Sequence, residues 1–355
     1  MHADRKSQIH WITIAKGLGI LLVVLGHSFR DNMLTSNIIC GFVYHFIYSF
    51  HMFFFFALSG ITFGLSYKKY LNTPGTYLKK RTKTQFVPFL SYATLMYLCF
   101  MGACFVPAIR NALENADYKI YGFGEYWLQI LRYDNPYSVH LWYLLVLFIL
   151  SVFCFFWLKA FGDKIRAKGA VAILFLLGYI IEPYLEVPYA VHRLFTYGIF
   201  FVFGFLIASK KENEVIVPHI PVWVTILSWG YICALSADLA YKNLIAFPHA
   251  TPLQKLFLLV ALFPAIVSLM NLSKRLTDNK FFTKLGMVSY PVYLLHQPFC
   301  AGFVGIVLYQ VLGLPIIVVV AACIVLSFAL PMFILWVTRK CRPSGKLADV
   351  LFAIR

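Results

Sequence analysis

Charge is scarce in this chain. Only 13% of its residues are Asp, Glu, Lys or Arg, and 14 of them are acidic, against about 25% charged residues in an average soluble protein. No polar block is long enough to fold as an independent soluble domain, so residues 1–355 read as one integral unit. The eight cysteines form no CxxC pair and no zinc-like spacing with histidine. Most lie in apolar runs, where a free thiol acts as a small hydrophobe, so neither a disulfide framework nor a metal site is expected. No Walker or GxGxxG phosphate loop occurs, which argues against ATP-driven work. The net charge of +17 comes without an interleaved aromatic and basic motif, so a nucleic-acid partner is not expected. Arg5 and Lys6 precede the first apolar run, but no small-residue cleavage site follows. That run reads as a retained helix rather than a signal peptide. Internal repeats are missing too, which disfavours repeat-built transporters.

What the chain has instead is apolar length. It is 61% hydrophobic and 18% aromatic. Segments near the bilayer-crossing length of about 20 residues fall at about 11–29, 42–66, 85–107, 139–159, 169–184, 193–209, 217–236, 252–272, 285–309 and 313–338. The fold class expected is all-α, a polytopic membrane protein of about ten helices. The basic residues alternate loop by loop. With the N-terminus inside, 23 of the 31 lysines and arginines fall on the cytoplasmic side and seven on the other. By the positive-inside rule both termini are cytoplasmic, and a missed helix would scramble the alternation.

Ionisable side chains inside apolar helices cost the most and so carry the most information. Lys16 and His27 share the segment IHWITIAKGLGILLVVLGHSF. A central lysine costs about 2.5–3.5 kcal/mol on insertion scales, and its apolar neighbours outweigh that only narrowly. Eleven residues are about three helical turns, so Lys16 and His27 share a face about 16 Å apart along the axis. Lys16 either serves a site or snorkels to the interface. His51 lies within SFHMFFFFALSG and His296 within SYPVYLLHQPF. Neutral imidazole takes protons near neutral pH, so such histidines are candidate general bases. A single membrane histidine is more often a helix–helix hydrogen-bonding residue. Three of them with a lysine favour chemistry, and Asp31, one turn beyond His27, can orient its ring.

Two polar regions flank these helices. The stretch from about 106 to 139 carries Glu114, Asp117, Glu125 and Asp134 among Tyr118, Tyr121, Tyr126, Trp127, Tyr133 and Tyr137. Such a mixture grips a sugar, or forms an ordinary interfacial belt. Lys79, Lys80, Arg81 and Lys83 stand just before the third segment. They suit the phosphates of a nucleotide-bearing donor as well as a plain positive-inside anchor.

Taken together these segments resemble the acyltransferase 3 family of integral membrane proteins. The first is similar to the family's basic residue, ten spacers and histidine, in AKGLGILLVVLGHS. FHMFFFFALSG with His51, Ser59 and Gly60 resembles its second landmark, and YLKKRTKTQFVPF its third. HLWYL at His140–Leu144 and SYPVYLLH at Ser289–His296 are further matches. WITIAKG, with lysine rather than arginine, looks like the sugar O-acetylase branch. Three positions depart from the family's pattern: Thr13 where Asp is frequent, Phe53 where Pro is usual, and Thr84 where a second Arg would stand.

The resemblance implies transfer of an acyl group, usually acetyl, from coenzyme A to a hydroxyl of a glycan or lipid-linked sugar. It makes acetyl-CoA the donor, matches His27 to the essential histidine and Lys16 to its basic partner, and implies a bacterial cytoplasmic membrane. His51 and His296 are then candidates to orient a partner or stabilise the oxyanion. Direct transfer and an acyl-histidine intermediate both fit. A transporter or flippase of a lipid-linked glycan is the rival reading, resting on the helix count and the polar residues at membrane depth.

Overall fold

The computed structural model describes residues 2–107, 110–111, 119, 121–132, 139–208, 215–245 and 250–340. Among them there are helices and no strand. The helices are α1 (His2–His27), α2 (Asp31–Ser36), α3 (Ile38–Gly64), α4 (Pro74–Arg81), α5 (Val87–Ala103), α6 (Phe123–Arg132) and α7 (Trp142–Phe161). They continue as α8 (Ile165–Ile181), α9 (Tyr189–Ala208), α10 (Val222–Tyr241), α11 (Pro252–Arg275), α12 (Lys280–Leu295) and α13 (Ile316–Lys340). Each of the ten expected apolar segments is helical. Eight helices of the described residues are long and apolar enough to cross a bilayer, with α4 and α5 joined through a π-helical turn into one of them. The fifth segment, α8, is shorter at 17 residues, and α12 has 16. The chain is an all-α, multi-pass membrane protein.

Side-chain contacts show how the helix ends sort into two faces. On one, Thr283 Oγ1 lies 3.3 Å from His10 Nε2, and Lys274 sits 5.5 Å above the Trp11 ring. On the same face Asp163 accepts from Tyr67 Oη at 2.5 Å and pairs with Lys168 at 2.6 Å. On the other, Arg30 donates to the carbonyls of Ala301 and Gly302, His45 Nε2 meets Leu244 O at 2.7 Å, and Glu182 pairs with Lys255. Successive long helices therefore run in alternating directions. Large apolar side chains on their outer surfaces stay exposed, among them Trp223, Phe257, Ile317 and Trp336. A surface of this kind suits lipid rather than water.

Two close crossings set the interior. A Cβ on Gly60 would collide with Phe201 O, and one on Gly204 with Ala57 O. The pair brings the backbones of α3 and α9 together, as small residues do in membrane bundles. Gly17 and Gly286 do the same for α1 and α12, where a Cβ would strike Phe282 O and Thr13 O respectively. Phe53 fills the adjoining core, with its ring 4.8 Å from both Tyr197 and Phe200.

The ninth segment differs from the single span expected over 285–309. Its α-helix ends at Leu295, and Gln297 takes an extended backbone (φ −116, ψ 149) before π-helical turns resume the path. Pro298 contributes to the break, because a proline disfavours the helical region for the residue before it.

Candidate active site

A cavity of about 540 Å³ lies between α1, α3, α7, α9 and α12. Lys16, Thr84 and Gln85 line it toward one end, and His27, Tyr44 and Arg193 toward the other. Four candidates picked from the sequence, Lys16, His27, His51 and His296, all contribute to its wall. The crossing at Gly17 sets α1 against α12, that at Gly60 sets α3 against α9, and Gly19 and Gly26 of α1 face Phe55 and Tyr48 of α3.

His27 is the hub of the far end. Its Nδ1 lies 3.0 Å from Tyr48 Oη and 3.0 Å from Gln297 Nε2. Its ring is 5.2 Å from that of His296, which in turn is 5.3 Å from His140. His296 directs Nδ1 at its own helix, 3.1 Å from Val292 O and 2.9 Å from Tyr293 O. His51 does likewise with Ile47 O at 2.8 Å, and its ring packs 4.9 Å from Tyr48. His140 Nε2 is 3.3 Å from Leu294 O, and its own carbonyl accepts from Tyr293 Oη at 2.6 Å. Asp31 opens α2 beyond the end of α1, and the partners of His27 Nδ1 are Tyr48 and Gln297.

Lys16 lies eleven residues back along α1, about 16 Å by helix rise. Ser59 stands eleven residues beyond Tyr48 on α3, at a comparable depth, with its Oγ 2.7 Å from Tyr143 Oη. The cavity therefore joins a lysine and a hydroxyl pair at one depth to a histidine cluster at another. Its mouth on the histidine side is aromatic. Arg193 stacks 5.1 Å from the Trp142 ring and donates to Tyr197 Oη at 3.1 Å.

The basic cluster sits beside the opposite end. Lys79 and Lys83 are exposed, while Lys80 and Arg81 are partly buried. None of the four lines the cavity; Thr84 and Gln85, next in sequence, do. Lys80 donates to Tyr70 Oη at 3.1 Å, and that hydrogen bond holds the phenol below its ordinary range. Arg81 stacks 5.0 Å from the Tyr77 ring. Of the acidic and aromatic residues singled out between 106 and 139, Glu114, Asp117, Tyr118, Tyr133, Asp134 and Tyr137 lie outside the described residues. Tyr126 is buried and donates to Ala93 O at 2.7 Å.

Sequence reasoning missed Tyr48, Gln297, Arg193 and any role for His140. A tyrosine or neutral amide raises no alarm in an aromatic-rich helix. His140 was visible within HLWYL, and its place beside His296 depends on the fold. In chemical terms the site offers imidazoles with no carboxylate partner among the described residues, hydrogen-bond donors around them, and a long passage to a lysine. Such a set suits proton transfer and stabilisation of an oxyanion. A family model described as an acyltransferase domain, acyltransferase family 3, matches residues 9–336. Searches of curated proteins and of solved structures gave no match.

Proposed function

The chain belongs to the acyltransferase 3 family, and from that premise we propose that this membrane acyltransferase moves an acetyl group from acetyl-CoA to a hydroxyl of a cell-surface or lipid-linked glycan. One observation carries the reading: a single cavity links Lys16 to the histidine cluster. The pantetheine arm is about as long as four extended residues, about 14 Å. That length suits the rise of about 16 Å between Lys16 and His27. A donor entering from the basic face would leave its phosphates near Lys79, Lys80, Arg81 and Lys83, whose charges suit phosphate oxygens. Lys16 would line the path, with Ser59 and Tyr143 offering hydroxyls to the amides of the arm. The thioester then arrives among His27, His51 and His296.

The acceptor enters from the opposite face, past Trp142 and Tyr197. Aromatic rings there suit the CH faces of a sugar. The charge alternation supports placing the basic face, and both termini, on the cytoplasmic side, and the family resemblance implies the cytoplasmic membrane of a bacterium.

The test uses membranes holding the protein, acetyl-CoA labelled in the acetyl group, and a glycan-lipid extract from its host. Label is followed into the glycan fraction at matched membrane levels. The natural chain should transfer it, and His27→Ala should lose about 10²–10⁴-fold in rate. Equal transfer by both would remove His27 from the chemistry. No transfer, with acceptor shown to be present, would contradict the acetyl-CoA reading.

A further inference from the structure

The histidines of the cluster are not equivalent, and their partners fix which ring nitrogen holds a proton. Both partners of His296 Nδ1 are backbone carbonyls, Val292 O and Tyr293 O. A carbonyl only accepts, so Nδ1 must donate. The neutral ring then keeps its lone pair on Nε2. That atom is buried and has no hydrogen-bond partner among the described residues. Leaving a buried acceptor unpaired is costly, so the atom calls for an account. His296 lines the cavity, so a substrate hydroxyl entering there can supply the missing donor.

His27 has the opposite pattern. The Gln297 amide nitrogen, 3.0 Å from Nδ1, is a donor only. Nδ1 therefore accepts, and Tyr48 Oη lies 3.0 Å from the same atom. The neutral ring carries its proton on Nε2. The two rings lie 5.2 Å apart, one presenting a lone pair and the other a proton.

We propose that His296 is the general base of the transfer and that His27, through Nε2–H, polarises the thioester carbonyl. The assignment rests on the acyl-transfer reading above. The acceptor hydroxyl loses its proton to His296 Nε2 as its oxygen bonds to the acetyl carbon. His27 Nε2–H hydrogen-bonds the oxyanion that forms. The tetrahedral species collapses, the C–S bond breaks with its electron pair on sulfur, and His296 returns the proton to the leaving thiolate. The products are the acetyl ester and free coenzyme A, and both histidines end as they began.

The experiment compares the natural chain with His296→Ala, His296→Gln, His27→Ala and His51→Ala in membranes, at matched levels and matched thermal midpoints. Each receives labelled acetyl-CoA with either the glycan-lipid extract or hydroxylamine, which attacks a thioester without a base. Loss of a base should cut transfer to the glycan by about 10²–10⁴-fold. His296→Ala and His296→Gln should both show that loss while keeping acetohydroxamate formation within about tenfold of the natural chain. His27→Ala should lose both reactions alike, because oxyanion stabilisation serves either nucleophile. The assignment is overturned if His27→Ala keeps the hydroxylamine reaction while His296→Ala loses it, or if His51→Ala alone shows the selective loss. A natural chain that consumes acetyl-CoA with neither nucleophile overturns the acyl-transfer reading, and the base assignment falls with it.

Discussion

His27 is held from two elements at once, by Tyr48 on α3 and by Gln297 in the broken segment after α12. Removing one hydroxyl while keeping the ring isolates what that grip contributes. Tyr48→Phe deletes one hydrogen bond, about 0.5–1.5 kcal/mol, so kcat for acyl transfer should fall about two- to twelvefold. KM for the acyl donor should hold, which initial-rate kinetics over a donor series would show. An unchanged kcat would make Tyr48 a packing residue only. At this scale the sequence is partly transparent. Lys16, His27, His51 and His296 stand out because an ionisable group in an apolar helix is expensive, and all four line one cavity. Tyr48 is one of 22 tyrosines and has no such mark. Gln297 looks like an ordinary polar residue at a helix end until Pro298 is seen to turn its backbone toward His27.

The helices meet most closely where glycine faces a neighbouring carbonyl. Gly60 sits one residue from Ser59, whose hydroxyl pairs with Tyr143 inside the cavity. Gly60→Ala places a methyl against Phe201 O, so α3 and α9 must separate. Overpacking of this kind costs about 1–3 kcal/mol. The thermal midpoint of the detergent-purified variant should drop, and a midpoint equal to that of the natural chain would show that the crossing yields freely. The phrase FFFFALSG announces a helix with a small residue, but not its partner. Gly204 lies in a different helix and becomes meaningful only when the two are packed. The break in the ninth segment was legible in principle, since Pro298 disfavours a helical Gln297. Apolar composition on both sides concealed it.

Across the whole molecule, composition alone decides a great deal. Few charges, long apolar stretches and basic loops in alternation specify an all-α bundle, and the described helices follow that plan. The cavity is a property of the assembled bundle, because its wall draws on helices far apart in sequence. Of the basic residues before α5, Lys79 and Lys83 are exposed beside one end of that cavity. On this account the protein joins two faces of a membrane through one passage. The donor is spent on one side and the ester is formed from the other. The most direct measurement purifies the chain into sealed vesicles of known orientation, with acetyl-labelled CoA confined to the basic face and a glycan-lipid acceptor displayed on the opposite leaflet. The account predicts label on the acceptor of the opposite leaflet, with an equal amount of free coenzyme A left on the donor side. Label found only on acceptors of the donor-side leaflet, or glycan moved across while acetyl-CoA remains intact, would contradict it.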